Sequence, residues 1–200
     1  MNTSSELIYS NDLCSAFLTS IVKSFELQHP DHYLGRTALQ KLSYFVQVLR
    51  TPIPCSFSIY TYGPYSDLIT FSVESLMADD VLVDQSVSAK YSNYKTGPNA
   101  EKLLLEFNEE IRPYDVTIAR VVLTLGKFSP NHLELIATLH FISQRAKRIR
   151  GVINKEQVIA AFKAVKKNKF SDEEINSWYD ALEQVELIPA TSLITGGAVS

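Results

Sequence analysis

Apolar residues recur at intervals of three and four positions along most of the chain, and this spacing predicts amphipathic helices. Several of these helices have recognisable N-terminal signals. Thr37 with Gln40 and Ser171 with Glu174 fit the capping-box spacing, and Ser129 stands directly before a proline suited to the first helical position. The predicted helices cover residues 13–25, 37–49, 66–77, 99–108, 114–125, 154–165 and 171–185, and a further helix begins at residue 129 and runs into the basic segment that starts at residue 145.

Three short segments have strand-like patterns instead. Residues 57–62 form a β-branched and aromatic run, which Gly63 and Pro64 interrupt. Residues 81–87 and 90–95 predict a hairpin. A helix, a strand, a turn, a second helix and a hairpin in this order are typical of a winged-helix-like module.

The expected fold class is therefore α+β and mainly helical. A winged-helix-like N-terminal module with a small antiparallel sheet is followed by a helical bundle. The predicted boundaries are residues 1–97 for the module, 98–188 for the helical region and 189–200 for a flexible tail that lacks periodicity.

Two short motifs stand inside the predicted module. The run G-R-T-x-L-Q-K-L at residues 35–42 is followed by Y-G-P-Y-S at residues 62–66 and then by a helix and a short strand. This combination resembles the Panacea domain of bacterial phage-associated and SocA-like antitoxin proteins, and the related YwgA-like proteins. The resemblance covers residues 10–95 and implies a prokaryotic, cytoplasmic protein of a toxin-neutralising, adaptor or regulatory kind, with no active site to carry over. The residues that carry it are Arg36, Thr37, Leu39, Lys41, Leu42, Tyr44, Tyr62, Gly63, Pro64 and Ser66.

The composition is that of an ordinary globular chain, with 200 residues, 46% of them apolar and 20% charged. Residues 1–12 lack the basic and apolar stretches of a secretion signal, and no window approaches the about 20 apolar residues of a membrane helix. A cytoplasmic location is expected. Cys14 and Cys55 lie far apart in sequence and match no zinc spacing, so we expect reduced, packed thiols without a disulfide or a metal.

The net charge of −3 conceals a strong asymmetry. Residues 145–169 contain nine basic residues against Glu156 alone, and residues 170–200 contain six acidic residues and no basic one. This basic block is either a surface for phosphate or an acidic partner, or a solvated stretch that neutralises the acidic C-terminal segment of the same molecule. Its candidate binding residues are Arg145, Lys147, Arg148, Arg150, Lys163, Lys166, Lys167 and Lys169.

A second candidate surface is aromatic and comprises Tyr60, Tyr62 and Tyr65. If the side chains alternate along the strand, Phe57 packs inward while Tyr60 and Tyr62 point to the opposite face. Tyrosines on such a face anchor protein partners or stack on bases, although they are also ordinary sheet residues.

No nucleophile motif, phosphate-binding loop or dinucleotide fingerprint occurs, so we expect no enzyme and no cofactor. The leading hypothesis is a non-enzymatic protein-interaction module of the antitoxin or adaptor kind, with a toxin-like or acidic partner. The alternative is a winged-helix DNA-binding regulator. Residues 66–80, where a recognition helix would lie, contain four acidic residues and no Lys or Arg, so in that case the basic block would contact DNA.

Overall fold

The structure is a computed structural model that describes residues 6–88, 90–151 and 153–188. It is a mainly helical α+β fold with two small two-stranded antiparallel sheets. The helices are α1 Leu13–Gln28, α2 Arg36–Val48, α3 Asp67–Ala78, α4 Ala100–Glu106, α5 Asn108–Ile111, α6 Asp115–Leu125, α7 Pro130–Arg150, α8 Lys155–Lys166 and α9 Asp172–Gln184. The strands are β1 Ser58–Tyr60, β2 Gly63–Tyr65, β3 Leu82–Asp84 and β4 Tyr94–Thr96, and a single 3-10 turn spans Arg112–Tyr114.

The chain divides into two compact units. The first consists of the described residues of Met1–Ser58 and Pro64–Leu133, and the second of Ile59–Gly63 with the described residues of Glu134–Ser200. The domain boundary predicted from the sequence follows residue 97, whereas the compact units of the structure divide the chain within α7. The predicted tail, residues 189–200, lies outside the described residues.

Helix α1 is the centre of the first unit and packs against α2, α3, α4, α6 and β4. Its stripe of Phe17, Ile21 and Phe25 is buried, in agreement with the periodicity. At its C-terminal end, the His29 ring is also buried and its Nε2 lies 2.9 Å from the carbonyl oxygen of Val122 on α6.

Asp79, at the end of α3, forms hydrogen bonds with the segment that precedes α1. Its Oδ2 accepts hydrogen bonds from the backbone N–H groups of Ile8, Tyr9 and Ser10, at 2.8 to 3.1 Å, and from the Ser10 hydroxyl at 2.8 Å. Burial alone would raise the pKa of this carboxyl. The four hydrogen bonds outweigh that effect, so the pKa of Asp79 lies below its ordinary value.

The two sheets are short hairpins. Strands β3 and β4 pair antiparallel, with Leu82 opposite Thr96 and Asp84 opposite Tyr94. The sequence predicted this hairpin, but its strands are shorter than expected. Gly97 follows β4, where a Cβ atom would lie only 2.2 Å from the carbonyl oxygen of Asp80. Only glycine permits this close approach of the two backbones.

The predicted strand at residues 57–62 is divided in the structure. Strand β1 ends at Tyr60 and the chain turns so that Gly63, at a φ of 88°, begins β2. Gly63 and Pro64 therefore do more than end a strand, because they start the second strand of a hairpin. The positive φ explains why glycine stands at residue 63.

Some predicted helix caps form and one does not. Asn154 caps α8, and Ser171 with Glu174 forms the predicted capping box of α9. The capping box expected at Thr37 and Gln40 is wrong, because the N-cap of α2 is Gly35, two residues before Thr37.

In the second unit, α8 packs against α9 around the fully buried rings of Phe162 and Tyr179. The side chain of His140 on α7 is also buried, and burial lowers its pKa to about 4. Within the described ranges, no helix combines the length and the apolar character required to cross a bilayer.

Candidate functional site

The turn between β1 and β2 presents two tyrosines to solvent. Tyr60 is 64% exposed and Tyr62 is 59% exposed, as predicted, although the alternation stops at Tyr60 because residues 61 and 62 form a turn in which Thr61 is exposed as well. Tyr65 differs, because it is half-buried and its hydroxyl lies 2.7 Å from Thr70 Oγ1. We call residues 60–62 the tyrosine turn.

The strand that follows the tyrosine turn is fixed to α2 by two buried polar side chains of the first unit. Lys41 Nζ donates a hydrogen bond to the carbonyl oxygen of Pro64 at 2.8 Å. Gln40 bonds to both backbone groups of Ser66, since its Nε2 donates to the carbonyl oxygen at 2.9 Å and its Oε1 accepts from the N–H at 3.0 Å. This contact gives Gln40 a tertiary role in place of the predicted capping role.

The tyrosine turn itself is held by lysines of the second unit. Lys166 Nζ donates to the carbonyl oxygen of Thr61 at 2.7 Å, and Lys169 Nζ lies 5.4 Å from the centre of the Tyr62 ring. The contact with Thr61 fixes the backbone at the middle of the turn. The cation beside Tyr62 leaves more than half of that side chain open to solvent.

Both lysines share one counter-ion, Glu134. Lys166 Nζ lies 3.0 Å from Glu134 Oε1, and Lys169 Nζ lies 2.8 Å from Oε2. The side chains of Glu134 and Lys166 are each only 2% exposed, whereas that of Lys169 is 35% exposed. We call Glu134, Lys166 and Lys169 the lysine–glutamate cluster.

The cluster carries one more positive than negative charge. Burial lowers the pKa of Lys166, and the hydrogen bond and charge of Glu134 offset part of this effect. Since a buried ion is costly without a partner, Glu134 is required to keep Lys166 charged beside the turn.

The structure separates the predicted basic block into paired and unpaired cations. Besides the cluster, Lys163 forms an ion pair with Asp172 at 2.7 Å. Arg150 donates a hydrogen bond to the neutral side chain of Gln157. The described acidic residues form no ion pair with five members of the block, which are Arg145, Lys147, Arg148, Arg150 and Lys167.

Sequence reasoning missed Glu134, which is the residue that organises the cluster. Glu134 stands on the apolar stripe of α7, and its burial beside two lysines depends on contacts between residues far apart in the chain. The one available signal was a lone carboxylate within the run of apolar residues at 133–139.

The first unit also contains a groove of about 430 Å³ between α1, α4, α5 and α6. Leu27 and Leu105, each 75% exposed, lie among its lining residues with the Lys23–Glu101 ion pair. Among the residues that the structure describes, no group of three His, Cys, Asp or Glu side chains is arranged to hold a metal ion.

Comparison with protein-family models and with curated proteins finds no match for this chain.

Proposed function

We propose that this protein is a non-enzymatic protein-interaction module of the antitoxin or adaptor kind, and that the tyrosine turn contacts an acidic segment of its partner. The observation that carries the proposal is the exposure of Tyr60 and Tyr62 on a turn whose backbone is held by a buried lysine. Aromatic side chains that are rigidly presented lose little conformational entropy on binding, which is why they dominate many interfaces.

The charge around the turn indicates the chemistry of the partner. Lys169 lies beside Tyr62, and Lys167, which is exposed, adds a second cation two residues earlier. An acidic segment would complement the excess positive charge of the lysine–glutamate cluster and Lys167, while an apolar or aromatic side chain packs against the tyrosines.

The sequence features support the same class of protein. The resemblance of residues 10–95 to the Panacea domain favours an antitoxin or adaptor. The order of α2, the first hairpin, α3 and the β3–β4 hairpin favours a winged-helix-like module, with the β3–β4 hairpin as its wing.

The test is affinity purification of the tagged full chain from its native host, with nuclease treatment and mass spectrometry. We compare the wild type with a Tyr60→Ser/Tyr62→Ser variant and with a control, Tyr33→Ser/Tyr91→Ser, in which the two tyrosines are 78% and 66% exposed. The expected result is a stoichiometric protein that survives nuclease and is lost only from the tyrosine-turn variant.

A titration with the purified partner then measures the interaction. Loss of the two tyrosines should weaken binding at least about 30-fold, the loss expected of an aromatic hot spot of about 2 kcal/mol. Binding that is unchanged in the tyrosine-turn variant, or equally weakened in the control, would contradict the assignment of the surface.

DNA binding is a second candidate, and the unpaired cations at the end of α7 favour it. Arg145, Lys147 and Arg148 are exposed on the last two turns of this helix. With five unpaired cations in the basic block, the slope of log K against log salt concentration for duplex DNA should not exceed a magnitude of about 4.5. Charge reversal at Arg148 should reduce that slope, whereas salt-independent or undetectable binding would exclude this candidate.

A further inference from the structure

Cys14 and Cys55 are 41 positions apart in sequence, but their sulfur atoms lie only 3.4 Å apart in the first unit. Both thiols are free, and their side chains are buried, with residue exposures of 2% and 8%. Formation of a disulfide requires the sulfur atoms to approach to about 2.05 Å. The remaining distance is little more than 1 Å.

The two thiols have different electrostatic surroundings. Cys14 is the second residue of α1, where the positive end of the helix dipole favours a thiolate. The hydrogen bond from Cys55 lowers the pKa of Cys14, burial opposes it, and the Ser72 hydroxyl, which donates to Sγ at 3.6 Å, adds to the lowering. The same contact with Cys14, together with burial, raises the pKa of Cys55.

The segment around Cys55 has no regular secondary structure. The exposed residues Pro52, Pro54 and Ser56 alternate with buried ones in this segment. Gln47 Nε2 donates hydrogen bonds to the carbonyl oxygens of Ile53 and Cys55, at 2.8 and 2.6 Å. A short segment of this kind can shift by the distance that a disulfide requires more easily than a helix can.

We propose that Cys14 and Cys55 are a reversible oxidation site, in which hydrogen peroxide converts the thiol pair into an intramolecular disulfide. Both thiols are nearly buried, so the oxidant must be small. Hydrogen peroxide meets this requirement because it is close to water in size. In a reducing compartment such pairs are characteristically transient and act as redox sensors.

The chemistry balances in two steps. The Cys14 thiolate attacks one peroxide oxygen, the O–O bond breaks, and hydroxide leaves and takes a proton, which gives a sulfenic acid and water. The Cys55 sulfur then attacks the Cys14 sulfur, the S–O bond breaks, and a second water leaves as the disulfide forms. Two electrons pass from the two sulfur atoms to the peroxide oxygens.

The test treats the folded full chain with hydrogen peroxide, blocks residual thiols under denaturing conditions and maps the peptides by mass spectrometry. We expect a peptide that links Cys14 to Cys55, formed at least about tenfold faster in the folded chain than in the chain unfolded in urea. A thiol reductant should return both cysteines to the free form. A Ser72→Ala variant, which keeps both cysteines, should form the link more slowly.

Two outcomes would overturn the proposal. One is overoxidation or intermolecular linkage without the intramolecular peptide, and the other is a rate in the folded chain no greater than in urea. Since the decisive comparison uses the wild-type sequence, it does not depend on whether a cysteine variant folds. Cys55→Ser serves as the control in which Cys14 can be oxidised to sulfenic acid and beyond but cannot form the intramolecular disulfide.

Discussion

Replacing Glu134 by glutamine tests whether the lysine–glutamate cluster stabilises the folded second unit. Glutamine keeps the size of the side chain but removes the negative charge that two lysines share at 3.0 and 2.8 Å. Loss of one partner of a buried ion pair costs about 3–5 kcal/mol. We expect a decrease of about 3 kcal/mol in the free energy of unfolding, at the low end, because Lys169 is partly exposed and the glutamine oxygen still accepts a hydrogen bond.

The chain offers a local probe for this measurement. Trp178, its one tryptophan, lies on α9 in the second unit, so its fluorescence in a urea titration reports on that unit. The matched control is Glu156→Gln, which removes an exposed carboxylate from α8 and should cost less than about 1 kcal/mol. Equal midpoints for Glu134→Gln and the control would refute the role of Glu134 as an essential counter-ion.

A double variant separates the loss of charge balance from the loss of packing. Glu134→Leu combined with Lys166→Met removes both nearly buried ions, and apolar replacement of a whole buried pair is often neutral or stabilising. We expect the double variant to recover at least half of the stability that Glu134→Gln loses. If the double variant is less stable than Glu134→Gln, the cluster contributes to the free energy of unfolding mainly through packing or the hydrogen bond to Thr61. An uncompensated charge would then not be the main cause of the loss in Glu134→Gln.

Two further predictions concern pH. Asp79→Asn should lower the free energy of unfolding, measured by circular dichroism in urea, by about 2 kcal/mol at pH 7, while Asp80→Asn at the adjacent exposed position changes it little. Because the folded pKa of Asp79 is lowered, this difference is complete above its ordinary value of 3.8 and disappears as the pH falls through the folded pKa. The buried His140 has a folded pKa of about 4 against 6.5 when unfolded, so the unfolded state gains a proton first as the pH falls. Between pH 7 and pH 5 the wild type should lose about 2 kcal/mol that a His140→Gln variant keeps, and parallel loss in both would contradict this origin.

The features predicted correctly from sequence are those that local patterns determine. Strand alternation placed Tyr60 on the solvent side, and the spacing of Ser171 and Glu174 predicted the cap of α9. Each depends on residues within a few positions of one another. The Thr37 capping box was wrong because Gln40, which fits the local pattern, bonds instead to Ser66.

The features that sequence could not reveal depend on distant pairs. Glu134 and Lys166 are 32 positions apart, and Cys14 and Cys55 are 41 apart. The sequence predicted that the two thiols would be reduced and packed, and their burial confirms the packing, but it gave no reason to place them in contact. Periodicity reports which side of a helix is buried, but it does not report which buried residues meet.

The contacts of α2 also decide what the resemblance to the Panacea domain can support. Lys41, in the first motif, bonds to Pro64 in the second, and Gln40 bonds to Ser66 in the same way. In this chain the first motif therefore holds the second in place, and these contacts fix the position of the hairpin. In the proposed function, the partner is recognised by what the hairpin exposes, which is the pair Tyr60 and Tyr62. Since Tyr60 and the lysines of the second unit lie outside both motifs, two chains with the same motifs can share this hairpin and still bind different partners.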